Sequence, residues 1–135
     1  MLEYVRSQTA TLLRRLAYEV GRAAKSGDAE AIHDLRVAIR RFSRCLRVFS
    51  QFYPDGAAKK IRRRLSGLMA AAGAVRDLDI AMELLENAGS GGQRQIVSKL
   101  KQKRRQANQE LFEEVRHWNR QRFSKRWREA LGLSL

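Results

Sequence analysis

Residues 32–49 read IHDLRVAIRRFSRCLRVF and carry two repeats at once. One is basic: His33, Arg36, Arg40, Arg44 and Arg47. The other is apolar: Ile32, Leu35, Ile39, Phe42, Leu46 and Phe49. On a helix turning about 100° per residue, the five basic side chains fall within an arc of about 80°, and the apolar stripe is centred roughly 130° away. The cationic row therefore borders the face that seeks the core. A solvated helix face interleaves acids with bases, because like charges at i,i+4 cost about 0.2–0.5 kcal/mol per pair. This row holds no acid. Arginine predominates in it, and the guanidinium fork matches two oxygens of one phosphate. The chemistry that suits such a row is capture of a densely charged anion, which removes the like-charge cost. The plain alternative is a solvent-facing charge row.

Further cations stand elsewhere. Lys59, Lys60, Arg62, Arg63 and Arg64 open a later helical segment, a placement that opposes the helix dipole. Arg76 lies on the same side as Arg62. Lys99, Lys101, Lys103, Arg104 and Arg105 gather further on, with Arg104 at an inward heptad position between Leu100 and Ala107, as for a wet interior or groove. Arg6, Arg14 and Arg15 contribute from the first segment.

The elements that must position these groups are helical. Strand-like alternation is absent, and the helix period dominates throughout. A first helix is expected from about Leu2 to Lys25, with Val5, Leu12, Leu16 and Val20 inward, stopped by Ser26-Gly27. Asp28 caps a second helix reaching about Phe52. Pro54-Asp55-Gly56 turns the chain. A third helix spans roughly Ala57 to Asn87, with Ile61, Leu65, Leu68, Ala72, Val75, Met82 and Leu85 inward. Ala88 to Gly92 forms a flexible loop. A fourth helix runs from about Gln93 to Trp118 on Val97, Leu100, Ala107, Leu111, Val115 and Trp118, and a short amphipathic piece follows with Phe123, Trp127 and Leu131. Long helices with short connections predict an all-α protein, an antiparallel four-helix bundle with a short C-terminal helical extension, as one domain over 1–135.

Composition agrees. The chain has 135 residues, 44% of them hydrophobic, which suits one real core rather than a disordered basic tail. Lys and Arg number 28 against 14 Asp and Glu, a formal net charge of +14. That excess favours polyanionic partners: nucleic acid, an anionic membrane surface or phosphate polymers. The single cysteine, Cys45, forms no intramolecular disulfide and reads as a partly buried, inert thiol in a reducing compartment. No apolar run is long enough to cross a membrane, and the N-terminus does not read as a signal peptide. A P-loop, an HExxH pair, a Cys nucleophile motif and an alternating Glu-x-Glu-x-Lys run are all missing, so neither catalytic nor metal-binding residues and no cofactor are expected. Asp77 and Asp79 point to different helix faces and read as structural partners of arginines, Asp77 holding Arg76.

His33-Asp34-Leu35-Arg36-Val37-Ala38-Ile39-Arg40-Arg41 resembles the H-x-x-R-V-x-x-R-R signature of the CHAD family, the conserved histidine α-helical domain. Gly73-Ala74-Val75-Arg76-Asp77-Leu78-Asp79-Ile80 is similar to its G-x-x-R-D-x-D-V stretch. The order and spacing of the two also agree. The resemblance runs to about residue 123. It implies one half of the usual pair of four-helix bundles, with Arg122-Phe123 resembling the start of the next. A second copy would then supply the missing half as a homodimer; a fragment of a longer chain is the rival expectation. The family implies non-catalytic binding of inorganic polyphosphate in a basic groove, often in association with a CYTH triphosphatase. The matching basic positions are His33, Arg36, Arg40, Arg62 and Arg76, with Arg44 and Arg104 less closely matched. Ser66 stands where many members carry a base. His33 reads either as a phosphate contact that helps to orient Arg36 or as a locally hydrogen-bonded histidine. A cytoplasmic protein at polyphosphate granules is expected. The alternatives are a nucleic-acid-binding helical protein, with Phe52, Tyr53, Trp118 or Trp127 stacking on bases, and a peripheral membrane binder.

Overall fold

The computed structural model describes residues 2–89 and 94–133. It contains α1 (Leu2–Ala23), α2 (Ala29–Val48), α3 (Ala57–Ala88), α4 (Arg94–Arg120) and α5 (Phe123–Ala130), with one 3₁₀ turn at Ser50–Phe52. Among the described residues there is no strand. α1 packs on α2, α2 on α3, α3 on α4, and α4 returns to α1, which closes the expected antiparallel four-helix bundle. α5 folds back on α1 and α4. Part of the expected loop, Ser90 to Gly92, and the expected start of the fourth helix at Gln93 lie outside the described residues.

Each helix boundary has a local cause. Asp28 accepts a hydrogen bond from the Ala31 amide at 2.8 Å, which satisfies a donor that the first turn of α2 leaves orphaned. That bond, with a second from Ser26, holds the Asp28 carboxyl below its ordinary range. α2 ends at Val48, short of the expected Phe52, and the chain tightens into the 3₁₀ turn. Gly56 then takes a positive φ of 79° at the head of α3, a conformation that favours glycine. Gly27 is small for another reason. A Cβ there would meet the Asn108 side chain of α4 at 2.4 Å, so the α1–α2 loop and α4 approach through the missing side chain.

The core follows the apolar stripes, with one shift in α1. Leu13 is fully buried and Leu12 only half-buried, so the inward line runs Val5, Thr9, Leu13, Leu16 and Val20. In α2, Ile32, Leu35, Ile39, Phe42 and Leu46 are buried, and Phe49 is half-buried just past the helix end. Burying one such side chain contributes about 1.5–3 kcal/mol. The last buried residue of α3 is Val75 and the first of α4 is Leu111, so Met82, Leu85, Val97, Leu100 and Ala107 are half-buried rather than core. The distal α3–α4 hairpin thus runs on past the shorter α1 and α2.

Two polar devices lock the proximal end. The hydroxyls of Thr9 and Tyr53 are 2.6 Å apart, with the Cys45 sulfur 3.6–3.7 Å from both, tying α1 to α2 and to the turn before α3. Burial pushes the Tyr53 phenol upward, and Cys45 is buried as expected. Where α5 meets the end of α4, Trp118, Phe123 and Trp127 meet edge to face at centroid distances of 5.1–5.2 Å. Arg64 caps this cluster 4.9 Å above the Trp118 ring and donates to Gln121 at 2.9 Å. Of the four aromatics considered for base stacking, Tyr53, Trp118 and Trp127 are core, and Phe52 is half-buried.

Candidate polyanion-binding groove

The amphipathic geometry of α2 sets the site. Its apolar stripe is fixed against the core, so the neighbouring cationic row is held at the seam with α3. Antiparallel packing brings the C-terminal half of α2 beside the cation-rich start of α3. Between them lies a groove of about 480 Å³ lined by Arg40, Ser43, Arg44 and Arg47 from α2 and by Arg62, Ser66, Met69 and Ala70 from α3, floored by Ile39 and Leu65. Arg36 and Arg76 are half-buried and are not among the residues that line this groove. Gly73 leaves open space around the position of a Cβ.

The charges in this groove are unmatched. After Asp34 no acid occurs before Asp55, and α3 has none before Asp77. Among the described residues, the ion pairs involve Arg15, Arg22 and Arg104, and none involves Arg36, Arg40, Arg44, Arg47, Arg62 or Arg76. Arg36 and Arg62 are half-buried, and each Nε is shut from solvent with no hydrogen-bond partner. Their stems are held by packing. Arg40, Arg44 and Arg47 are exposed. The arrangement can place several guanidinium forks along one anionic chain.

Not every expected residue joins it. His33 is exposed and lines a second groove of about 270 Å³ between α1 and α2, with Arg15, Glu19, Asp34 and Arg41. Glu19 there is 1% exposed and lies 3.4 Å from Arg15 and 3.5 Å from Arg22. Arg22 also bonds Asp34, which removes the one acid of the His33–Arg41 motif from the row. Arg104, also expected among the ligand contacts, lies outside the residues that line the groove. Its Nε pairs with Asp79 at 2.5 Å and its Nη2 donates to the Gly27 carbonyl at 2.9 Å, so it staples α4 to α3 and to the α1–α2 loop. At its inward heptad position it meets a half-buried partner, Asp79. Asp79 is therefore a structural partner, as expected of this pair of acids. Asp77 is exposed and in no ion pair among the described residues, so it does not hold Arg76 by one. Arg47 and Ser43 line the groove without being in the expected set. Arg47 was legible in the stripe, whereas Ser43 carries no signal that separates it from any surface serine.

An all-helical bundle with one acid-free arginine seam belongs to the class of domains that present a fixed cationic surface. The family model for the CHAD domain matches residues 7–134, and the chain belongs to the CHAD family. The match extends through α5, past residue 123 where the motif resemblance ends. No curated protein and no solved structure matches the chain.

Proposed function

We propose that this protein binds inorganic polyphosphate along the α2–α3 groove, without catalysing a reaction. The observation that carries this reading is the acid-free convergence of Arg40, Arg44, Arg47 and Arg62 on one groove. Membership of the CHAD family supports it. Each guanidinium donates two N–H groups to adjacent phosphoryl oxygens, and condensed counterions leave as the chain is neutralised. Ser43 and Ser66 add hydroxyl donors between the cations. Ser66, in place of a base, lowers the charge density at mid-groove. No base-reading group is needed, and the buried aromatics argue against a nucleic-acid reading. Cytoplasmic polyphosphate granules are the setting that suits this activity, and a CYTH triphosphatase is a fitting functional associate.

Titration with long-chain polyphosphate at several salt concentrations tests the proposal, with RNA of matched charge as the comparison. Four arginine contacts give a log–log salt slope of about −3, taking the single-strand value per phosphate. Replacing Arg40 and Arg44 together by alanine flattens that slope by about 1.4 and weakens binding by about tenfold or more per side chain. Unchanged affinity in the folded double variant, or equal displacement by RNA, refutes the assignment.

A further inference from the structure

The face of α3 turned away from the core carries a pattern with its own reversal symmetry. α3 packs against α2 and α4, and directly opposite its buried residues runs the heptad line Arg63, Ala70, Asp77 and Leu84. All four are exposed, Leu84 by 65%. Around Ala70 the flanking residues are small: Ser66, Gly67, Gly73 and Ala74. Arg63 and Asp77 stand seven residues to either side of Ala70, and neither is in an ion pair among the described residues. Fourteen residues to either side stand Leu84, an exposed apolar knob, and Gly56, which has open space where a side chain would be.

We infer that this face docks a second copy of the same chain, α3 against antiparallel α3, about a two-fold axis at Ala70. The argument is complementarity of charge and shape. Reversing the direction of the pattern exchanges cation for acid and sets the apolar knob against a residue with no side chain. A two-fold therefore sets each Arg63 against the partner copy's acid at position 77, and each Leu84 into the space beside the partner copy's glycine at position 56. Small residues at the axis let the two backbones approach. Two chains of formal charge +14 repel over most of their surfaces, and this line offers them neutral small residues at its centre and opposite charges at its flanks.

One consequence rests on the polyphosphate reading. Ser66 and Ala70 belong both to this face and to the α2–α3 groove, so the second copy walls that groove and brings its own alongside.

Sedimentation equilibrium without polyphosphate tests the interface independently of the ligand. The expected result is a dimer that Arg63→Asp or Asp77→Arg weakens about tenfold, through two lost ion pairs and two new like-charge contacts. The double exchange Arg63→Asp with Asp77→Arg restores the original association. Circular dichroism checks that each variant is folded, which is expected because both positions are exposed. A protein that stays monomeric, a dimer indifferent to both single reversals, or a folded double exchange as weak as the singles overturns the inference. Because none of these measurements contains polyphosphate, each of those results leaves the groove assignment standing.

Discussion

Arg40 and Arg104 carry the same guanidinium and meet opposite circumstances. Arg104 has Asp79 and the Gly27 carbonyl within hydrogen-bonding distance, and its charge is neutralised inside the fold. Arg40 lines an acid-free groove and keeps its charge for something else. The difference predicts opposite phenotypes. Arg104→Ala leaves a half-buried carboxylate without its partner and lowers stability by about 1–3 kcal/mol, while polyphosphate affinity of the folded protein stays within about twofold. Urea melts and a titration on the same preparation check both halves. Sequence spacing set Arg40 in a row bordering the core and Arg104 at an inward heptad position, and neither placement tells which of them meets an acid. The missing information was the long-range partner: Asp79 lies 25 residues away and becomes a neighbour once α3 and α4 pair. Leu12 and Leu13 raise the same difficulty on a smaller scale. Both are leucines one position apart, and the exact roll of α1 on its neighbours decided which of them is buried.

Helices as units were far more legible than their side-chain partners. The stripes of α2 and the proximal half of α3 are core where the period put them, and the Asp28 cap formed with its carboxyl on the Ala31 amide. The distal halves of α3 and α4 kept the period without the burial, since α1 and α2 end before reaching them. α3 also shows charge placed against helix electrostatics. Lys59, Lys60, Arg62, Arg63 and Arg64 crowd its N-terminal end, where the dipole is positive, and Glu83 and Glu86 approach its C-terminal end. Lys59→Glu should therefore stabilise the helix by about 0.3–1 kcal/mol. The same change should weaken polyphosphate binding, because it alters two units of charge within about one Debye length of the groove. Opposite movements of melting temperature and affinity are the expected outcome. A joint rise in both would show that the N-terminal cations do not serve the ligand.

At the scale of the whole molecule, a net charge of +14 is carried on a chain whose described ion pairs cluster around Glu19, Asp34 and Asp79. The remaining cations repel one another in the folded state more than in the expanded chain. Added salt screens that repulsion, so the melting temperature should rise between low and moderate ionic strength, while polyphosphate affinity falls over the same range. Calorimetry alongside the titration checks the pair of trends, and a melting temperature that falls with salt contradicts the picture. The composition foretold this balance, since net charge needs no coordinates. The distribution of charge between two seams on either side of α2, with His33 on one and Arg40 on the other, required the packed bundle.

Both tryptophans of the protein lie in one aromatic knot where α5 meets the end of α4, with the Arg64 cation over them. All indole emission therefore arises at one place, where the end of α4, α5 and Arg64 of α3 meet. The protein carries its own optical gauge: without any label, its fluorescence reports whether α5 stays seated and whether the Arg64 guanidinium stays over the rings.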